Sequence, residues 1–247
     1  PIFSSIAHAR GLRGIGYGRA TDDIRIDQIE TRRDGQRIAL SLFGKKRDVT
    51  LALPGAFQAR NALCALGLAI ACGDDADAAL GALPSLISPP GRLQLAAKRA
   101  NDAPVYVDYA HTPDALASVL GALRPHTTGR LVIVFGCGGD RDKGKRPQMG
   151  SIAHNLADQV IVTDDNPRSE DAAKIRAEIL ARCPDAIEIG DRAEAIHYAA
   201  RALGADDVLV IAGKGHETGQ IVGDRVHPFN DVEMVRTVIA ALDGSGT

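Results

Sequence analysis

From Pro104 onward the chain repeats one pattern five times: a short run of apolar, often β-branched residues, then a stretch with helical spacing. The runs are VYVDY (105–109), RLVIVF (130–135), QVIVT (159–163), AIEIG (186–190) and DVLVIAG (207–213). Helices are expected between them, beginning near Thr112, Arg146, Ser169 and Asp191, with a last one after Asn230. Strands that are apolar on both sides need cover on both faces, so the pattern predicts an α/β fold with a doubly wound, mainly parallel sheet. Its crossovers should be right-handed. In open sheets of this kind ligands bind beyond the carboxyl ends of the strands, so the residues that follow each strand carry the functional reading.

The segment before this repeat has a different rhythm. Residues 24–53 read as strands, IRIDQIET, RIALSLF and DVTLALP, with a turn at Asp34-Gly35. A helix is expected over FQARNALCALGLAIAC, stopped by Gly73, and a second from Asp75 to Leu83. Pro84, Pro89, Pro90 and Gly91 then interrupt regular structure, and the domain boundary is expected there, dividing residues 1–88 from 89–247. A chain of 247 residues is long enough for two such domains.

With 29 basic and 31 acidic residues the net charge is −2, so no overall field favours nucleic acid or an anionic membrane. Neither partner is expected. The four cysteines show no C-x-x-C or metal-ligand spacing, which suits a reducing, cytoplasmic setting. No run of about 18 apolar residues occurs. The chain opens on Pro1 in ordinary globular sequence, and it is expected to be a fragment of a longer protein.

Four of the five strand ends carry charged or Gly-rich loops. After the first comes DYAHTPDAL, where Thr112 can cap a helix and Pro113 suits its first turn. After the second comes GCGGDRDKGKR, in which glycines allow close approach to an anion and Arg141, Lys143, Lys145 and Arg146 supply positive charge. From Gly139 this loop also spells Gly, four residues, Gly, Lys, but Arg146 stands where a phosphate-binding loop needs Ser or Thr. After the third comes TDDNPRSED, with a guanidinium suited to a carboxylate and acceptors suited to an ammonium. After the fifth comes AGKGHETGQIVGDRVHPF, with His216, Glu217 and a hairpin turning at Gly223-Asp224. The fourth strand is followed by GDRAEAIHYAARAL, an amphipathic helix with no chemical excess. Anion-binding and cation-binding groups gathered on one sheet edge would form a site for a zwitterion.

The ordered motifs DYAHTPDAL, GCGGDRDKGKRPQMG, TDDNPRSE and LVIAGKGHETGQ resemble the carboxy-terminal, Rossmann-like domain of the Mur ligase family. Residues 1–88 are similar to the later part of that family's central ATP-binding domain, with GAFQARNALCAL matching its adenine-side segment. The resemblance implies ATP-driven amide bond formation through an acyl phosphate in peptidoglycan precursor synthesis, with ATP and Mg²⁺ as cofactors. Asp165, Asn166, Pro167 and Arg168 match the family's DNPR motif in the form found in members that add meso-diaminopimelate to UDP-N-acetylmuramoyl-L-alanyl-D-glutamate. Arg168 would pair the distal carboxylate, which lysine lacks.

By the same resemblance, Arg141 also binds the amino acid's carboxylate, and Gly213 and Glu217 lie near its distal ammonium. Arg92, Asp108 and His111 match a segment that faces ATP, and Asn61 is the base-contacting candidate because Gln58 replaces the usual Asn. No catalytic residue and no metal ligand is assigned. GGDRDKGKR then belongs to the substrate side, and its likeness to a phosphate loop is coincidental. The family's Gly-Lys-Thr loop, its UDP-binding domain and its magnesium ligands are absent from these residues, so the chain alone is expected not to turn over. The alternatives are a lysine-adding or folylpolyglutamate-type ligase, or a non-catalytic amino-acid or nucleotide binding module.

Overall fold

A computed structural model of the chain describes residues 2–244, without the side chains of residues 2–4 and 8. It divides into two compact units, Pro1–Ile87 and Ser88–Thr247. In the first, helix α1 (Ile2–Ala9) precedes a four-stranded sheet of β1 (Tyr17–Gly18), β2 (Ile24–Arg32), β3 (Gly35–Leu42) and β4 (Lys45–Leu51), paired in that order. The β2–β3 turn falls on Arg33-Asp34. Gly35 instead begins β3 at φ 147°, where a Cβ would lie 2.1 Å from the Leu51 carbonyl oxygen. Helix α2 (Ala56–Ala71) lays Ala59, Ala62, Leu63 and Leu66 against Ile24, Ile38 and Leu40 of the sheet. Helix α3 (Ala76–Ala82), capped by the Asp75 side chain, closes the same core with Leu80.

The second unit is a six-stranded sheet of β5 (Gln94–Lys98), β6 (Pro104–Asp108), β7 (Leu131–Phe135), β8 (Gln159–Val162), β9 (Ile187–Glu188) and β10 (Val208–Ala212). The spatial order is β5-β6-β10-β7-β8-β9, and every pairing except β5–β6 is parallel. Strict alternation sends Tyr106, Ile133, Phe135, Val162 and Val210 to one face and Val105, Val107, Val134, Ile161 and Ile211 to the other. The first face is covered by α4 (Pro113–Leu123), α5 (Lys145–Leu156) and α6 (Ala172–Leu180). The second is covered by α7 (Arg192–Arg201) and α8 (Asp231–Gly244). This is the two-sided cover that double-faced apolar strands require.

A short hairpin, β11 (Gly219–Val222) with β12 (Arg225–Pro228), follows β10. The antiparallel edge strand β5 was not expected, and the fourth expected strand is shorter than 186–190, with only Ile187 and Glu188 paired to β8. The return of the chain to place β10 between β6 and β7 opens the strand order there, and the loops after β6, β10, β7 and β8 lie along one sheet edge. Among the described residues no helix is long and apolar enough to cross a membrane.

Candidate functional site

The loop after β8 is tied to the hairpin. Arg168 forms an isolated parallel bridge with Val222; its N–H donates to the Ile221 carbonyl at 3.1 Å and its carbonyl accepts from the Gly223 N–H at 2.7 Å. Arg168 takes φ 53°, a left-handed backbone uncommon outside glycine. Its Nη1 donates to the carbonyls of Gly139 (2.9 Å) and Asn166 (3.4 Å). Among the described residues Nε and Nη2 have no hydrogen-bond partner, so one edge of the guanidinium remains available to a carboxylate.

Asn166, buried, joins this loop to the one after β10. Its Oδ1 accepts from Lys214 Nζ at 3.0 Å and from the Ile221 N–H at 2.9 Å, and its Nδ2 donates to Glu217 Oε2 at 2.9 Å. Lys214, fully buried, also donates to Glu217 Oε2 at 3.1 Å. Asp165 is buried beside them, with Oδ1 accepting from the Asn166 N–H at 2.7 Å. Burial pushes its carboxyl above the ordinary range, against the opposing pull of Arg192 and Lys214. Gly213, at φ 113°, makes room for it: a Cβ there would lie 2.7 Å from Asp165 Oδ2.

The loop after β7 is stitched to the same place. The Gly139 N–H donates to the Asn166 carbonyl at 2.8 Å, while Asp140 (φ 52°) accepts from the Ser169 hydroxyl at 2.7 Å and donates its N–H to Glu170 Oε1 at 2.6 Å. Arg141 is exposed, and Nη1 donates to the Asp140 carbonyl at 2.8 Å. The expected basic loop needs correction in three of its four cations. Arg146 is fully buried, paired to Glu170 at 2.9 Å and Glu178 at 2.9 Å; Lys143 pairs with Glu170 at 3.2 Å; Lys145 donates to the His111 carbonyl at 2.8 Å. An arginine at helix start Lys145–Leu156 sits beneath the loop, where two carboxylates and the Gly138 carbonyl, 3.3 Å from Nη2, compensate its lost hydration. Hydrogen bonds from Arg146 and then from the Asp140 N–H hold the Glu170 carboxyl down at about 2.

At the end of β6, both oxygens of buried Asp108 accept backbone N–H groups, from Leu93 and Ala110, each at 2.7 Å. Burial nevertheless raises its carboxyl above the ordinary range. Asp108 thus ties the turn before β5 to the strand end. Exposed Arg92 lies 4.9 Å over the Tyr109 ring, which also meets His111 at 4.5 Å and His216 at 5.2 Å between centroids. Gly91 and Gly215 pass so close that a Cβ on Gly91 would lie 2.3 Å from the His216 nitrogen. In the first unit Asn61 is exposed on α2, with Nδ2 donating to buried Gln58 Oε1 at 3.2 Å.

The structure therefore brings Arg168, Asn166, Asp165, Gly213 and Glu217 together, with Pro167 buried between them and Arg141 exposed on the adjoining loop. Over residues 91–215 the sequence matches the Mur ligase, glutamate ligase domain. The chain belongs to the Mur ligase family. It is 52% identical over 239 residues to the UDP-N-acetylmuramoyl-L-alanyl-D-glutamate–2,6-diaminopimelate ligase of Agrobacterium fabrum, covering 97% of this chain and 49% of that protein. A solved structure bearing the same enzyme name is 38% identical with TM-score 0.75, over 97% of this chain and 50% of that one. Folylpolyglutamate synthase of Mycobacterium tuberculosis shares the fold at TM-score 0.64 and 22% identity, over 86% of this chain and 49% of that one. The chain spans about half the length of the curated Mur ligase relatives it matches.

Sequence reasoning missed Lys214, which reads as one basic residue between two glycines, and it missed the pair formed by Arg192 and Asp231. That pair is wholly buried, with bonds of 2.7 and 2.8 Å, and Arg192 also donates to the Ala212 carbonyl at 3.0 Å. The helix after the fourth strand was read as lacking chemistry, yet its first residue anchors the end of β10. The available signal was an arginine just inside a capped helix, which faces solvent in most proteins.

Proposed function

We propose that this chain carries the amino-acid-binding part of an ATP-dependent ligase that joins meso-diaminopimelate to UDP-N-acetylmuramoyl-L-alanyl-D-glutamate in peptidoglycan precursor synthesis. The observation that carries the reading is the juxtaposition of an Arg168 edge free among the described residues with the Asn166–Glu217 pair on the adjoining loop. One binds a carboxylate, the other faces an ammonium, and an amino acid with a distal amino-acid head needs both. Lysine, with an amine alone at that end, leaves the Arg168 edge unpaired, a penalty that supports discrimination between the two. The names of these similar proteins agree with this substrate.

In this reading residues 89–247 bind the amino acid, and residues 1–88 belong to the ATP-binding domain, with Asn61 on the adenine side. ATP, when bound, supplies the phosphoryl group that turns the acceptor's γ-carboxylate into an acyl phosphate. The amine then displaces phosphate and loses a proton, leaving the amide. The residues of this chain position the incoming amine: Arg168 and Arg141 hold carboxylate, while Glu217, backed by Asp165, holds ammonium. Exposed Arg92 and His111 present a cation and an imidazole to the nucleotide, and Asp108 holds the turn that carries Arg92. Among the described residues no group of three or more His, Cys, Asp or Glu could hold a metal ion; magnesium, when bound, would be held largely by the nucleotide's phosphates and by water.

Calorimetric titration of the chain with meso-diaminopimelate and with L-lysine, beside an Arg168→Ala variant, tests the reading. Heat on diaminopimelate addition, none with lysine, and loss in the variant are expected. Equal binding of both amino acids would overturn it.

A further inference from the structure

We propose that Lys214 is a positioning residue of the amino-acid site, one that locks the Asn166 side chain and Glu217 so that the ligand meets a carboxylate oxygen and not an amide oxygen. This inference rests on the reading of these loops as an amino-acid site. The amide of Asn166 has only one consistent orientation, because Oδ1 faces two donors, Lys214 Nζ at 3.0 Å and the Ile221 N–H at 2.9 Å. A flip would set the amide NH₂ against both of them. Its Nδ2 is therefore directed at Glu217 Oε2, 2.9 Å away. The acceptor capacity of Asn166 is spent inside the protein, and its amide oxygen is not the atom that receives an ammonium.

That leaves Glu217. Its Oε2 is held by Asn166 and Lys214, while Oε1 has no hydrogen-bond partner among the described residues and the side chain is 33% exposed. The charges around it explain why a lysine is buried here. Arg192 is committed to Asp231 by two hydrogen bonds and acts on Asp165 and Glu217 only through space, so Lys214 is the one of these two cations that is bonded to Glu217. Counted together, the carboxylates of Asp231, Asp165 and Glu217 against the cations of Arg192 and Lys214 leave a deficit of one positive charge when all are ionised, which a ligand ammonium at Oε1 would supply. Lys214 thus does two things at once: it fixes the amide, and it offsets the carboxylates of Asp165, after β8, and Glu217, after β10, without a ligand.

The test uses the ¹⁵N-labelled chain with Lys214→Met, and with Lys214→Gln should the first variant fail to fold. The side-chain NH₂ pair of Asn166, identified by its disappearance in Asn166→Asp, should exchange with solvent about tenfold or more slowly than that of exposed Asn61 in the parent chain. It should approach the Asn61 rate in the Lys214 variants while the backbone spectrum of β6, β7 and β10 stays in place. Binding of meso-diaminopimelate should weaken about tenfold or more in the same variants. Asn166→Asp sets a carboxylate oxygen against Glu217 Oε2 and should also weaken it, whereas an amide oxygen that contacts the ligand directly predicts tighter ammonium binding.

Unchanged Asn166 exchange in a folded Lys214 variant, or tighter binding in Asn166→Asp, would overturn the inference. Failure of the parent chain to bind diaminopimelate would instead count against the proposed substrate, while the exchange of Asn166 still decides the role of Lys214.

Discussion

Gly139→Ala is the smallest change that separates the two loops on which the site depends. A Cβ on Gly139 would stand 1.9 Å from the Pro167 carbonyl oxygen and 2.8 Å from its carbon. Non-bonded heavy atoms need roughly 3.5 Å, so the two backbones must part by about 1.5 Å. That movement stretches the bond from the Gly139 N–H to the Asn166 carbonyl, now 2.8 Å, and the bond from Arg168 Nη1 to the Gly139 carbonyl, now 2.9 Å. The first is worth about 1 kcal/mol and the second, to a charged donor, about 1.5–3 kcal/mol. Part of the second is recovered by hydration, so a net loss of about 2–3 kcal/mol is expected, or a fall in Tm of about 4–12 °C for a unit of this size.

Displacement of Arg168 by an ångström or more should cost diaminopimelate affinity about ten- to a hundredfold, the worth of one hydrogen-bonded charge pair. Thermal denaturation and calorimetry read the two effects on one sample. Gly121→Ala is the control: this exposed glycine lies within α4 with nothing inside 4 Å of a new Cβ. It should raise stability by about 0.5–1 kcal/mol and leave binding alone. A Gly139→Ala protein with unchanged Tm and full affinity would refute the idea that the loops after β7 and β8 work as one piece.

Asp231→Ala leaves Arg192 charged and unpaired in the interior, which should cost about 3–5 kcal/mol by chemical denaturation; a loss below about 1 kcal/mol would mean that the pair is dispensable. Glu170 gives a pH dependence with a defined sign. Its folded carboxyl, held at about 2, lies below the ordinary glutamate value of 4.5, so its stabilising contribution is fully present above that unfolded value and lost as pH falls towards 2. A ¹³C titration should place the Glu170 midpoint near 2, and Arg146→Met should move it upwards; an unshifted midpoint in the variant would mean that Arg146 is not the cause.

The sheet was legible because burial on both faces leaves a strand little choice of residue. Ile133, Val134, Phe135 and Val208 to Ala212 are all buried, and they stand as unbroken apolar runs in the sequence. Strand β5 escaped because it is an edge: Leu95 is exposed, and an irregularity between Leu95 and Ala97 breaks the alternation that would announce it. The fourth expected strand is curtailed for a related reason. Beyond Glu188 the carbonyl of Gly190 accepts from the Thr163 hydroxyl and the Asp164 N–H, so the backbone serves the loop and not the ladder.

At the site, the residues that face outward were legible as motifs, whereas those that hold them were not. Arg146 meets Glu170 and Glu178, 24 and 32 residues away, and Lys214 meets Asn166 across 48. A buried cation is recognised by its partners, and a linear sequence shows the cation without them. Counting Arg146 among the exposed cations of GGDRDKGKR is thus the natural error: residues 140–144 are exposed, while Arg146 lies buried beneath them.

The most direct test of the account is to locate the ligand. Backbone and side-chain amide spectra of the ¹⁵N-labelled chain, recorded as meso-diaminopimelate is added, should show saturable shifts at Gly139, Asn166, Arg168 and Gly213 to Glu217, with none on equal addition of L-lysine. Shifts confined to other parts of the fold, or the same shifts with lysine, would contradict it.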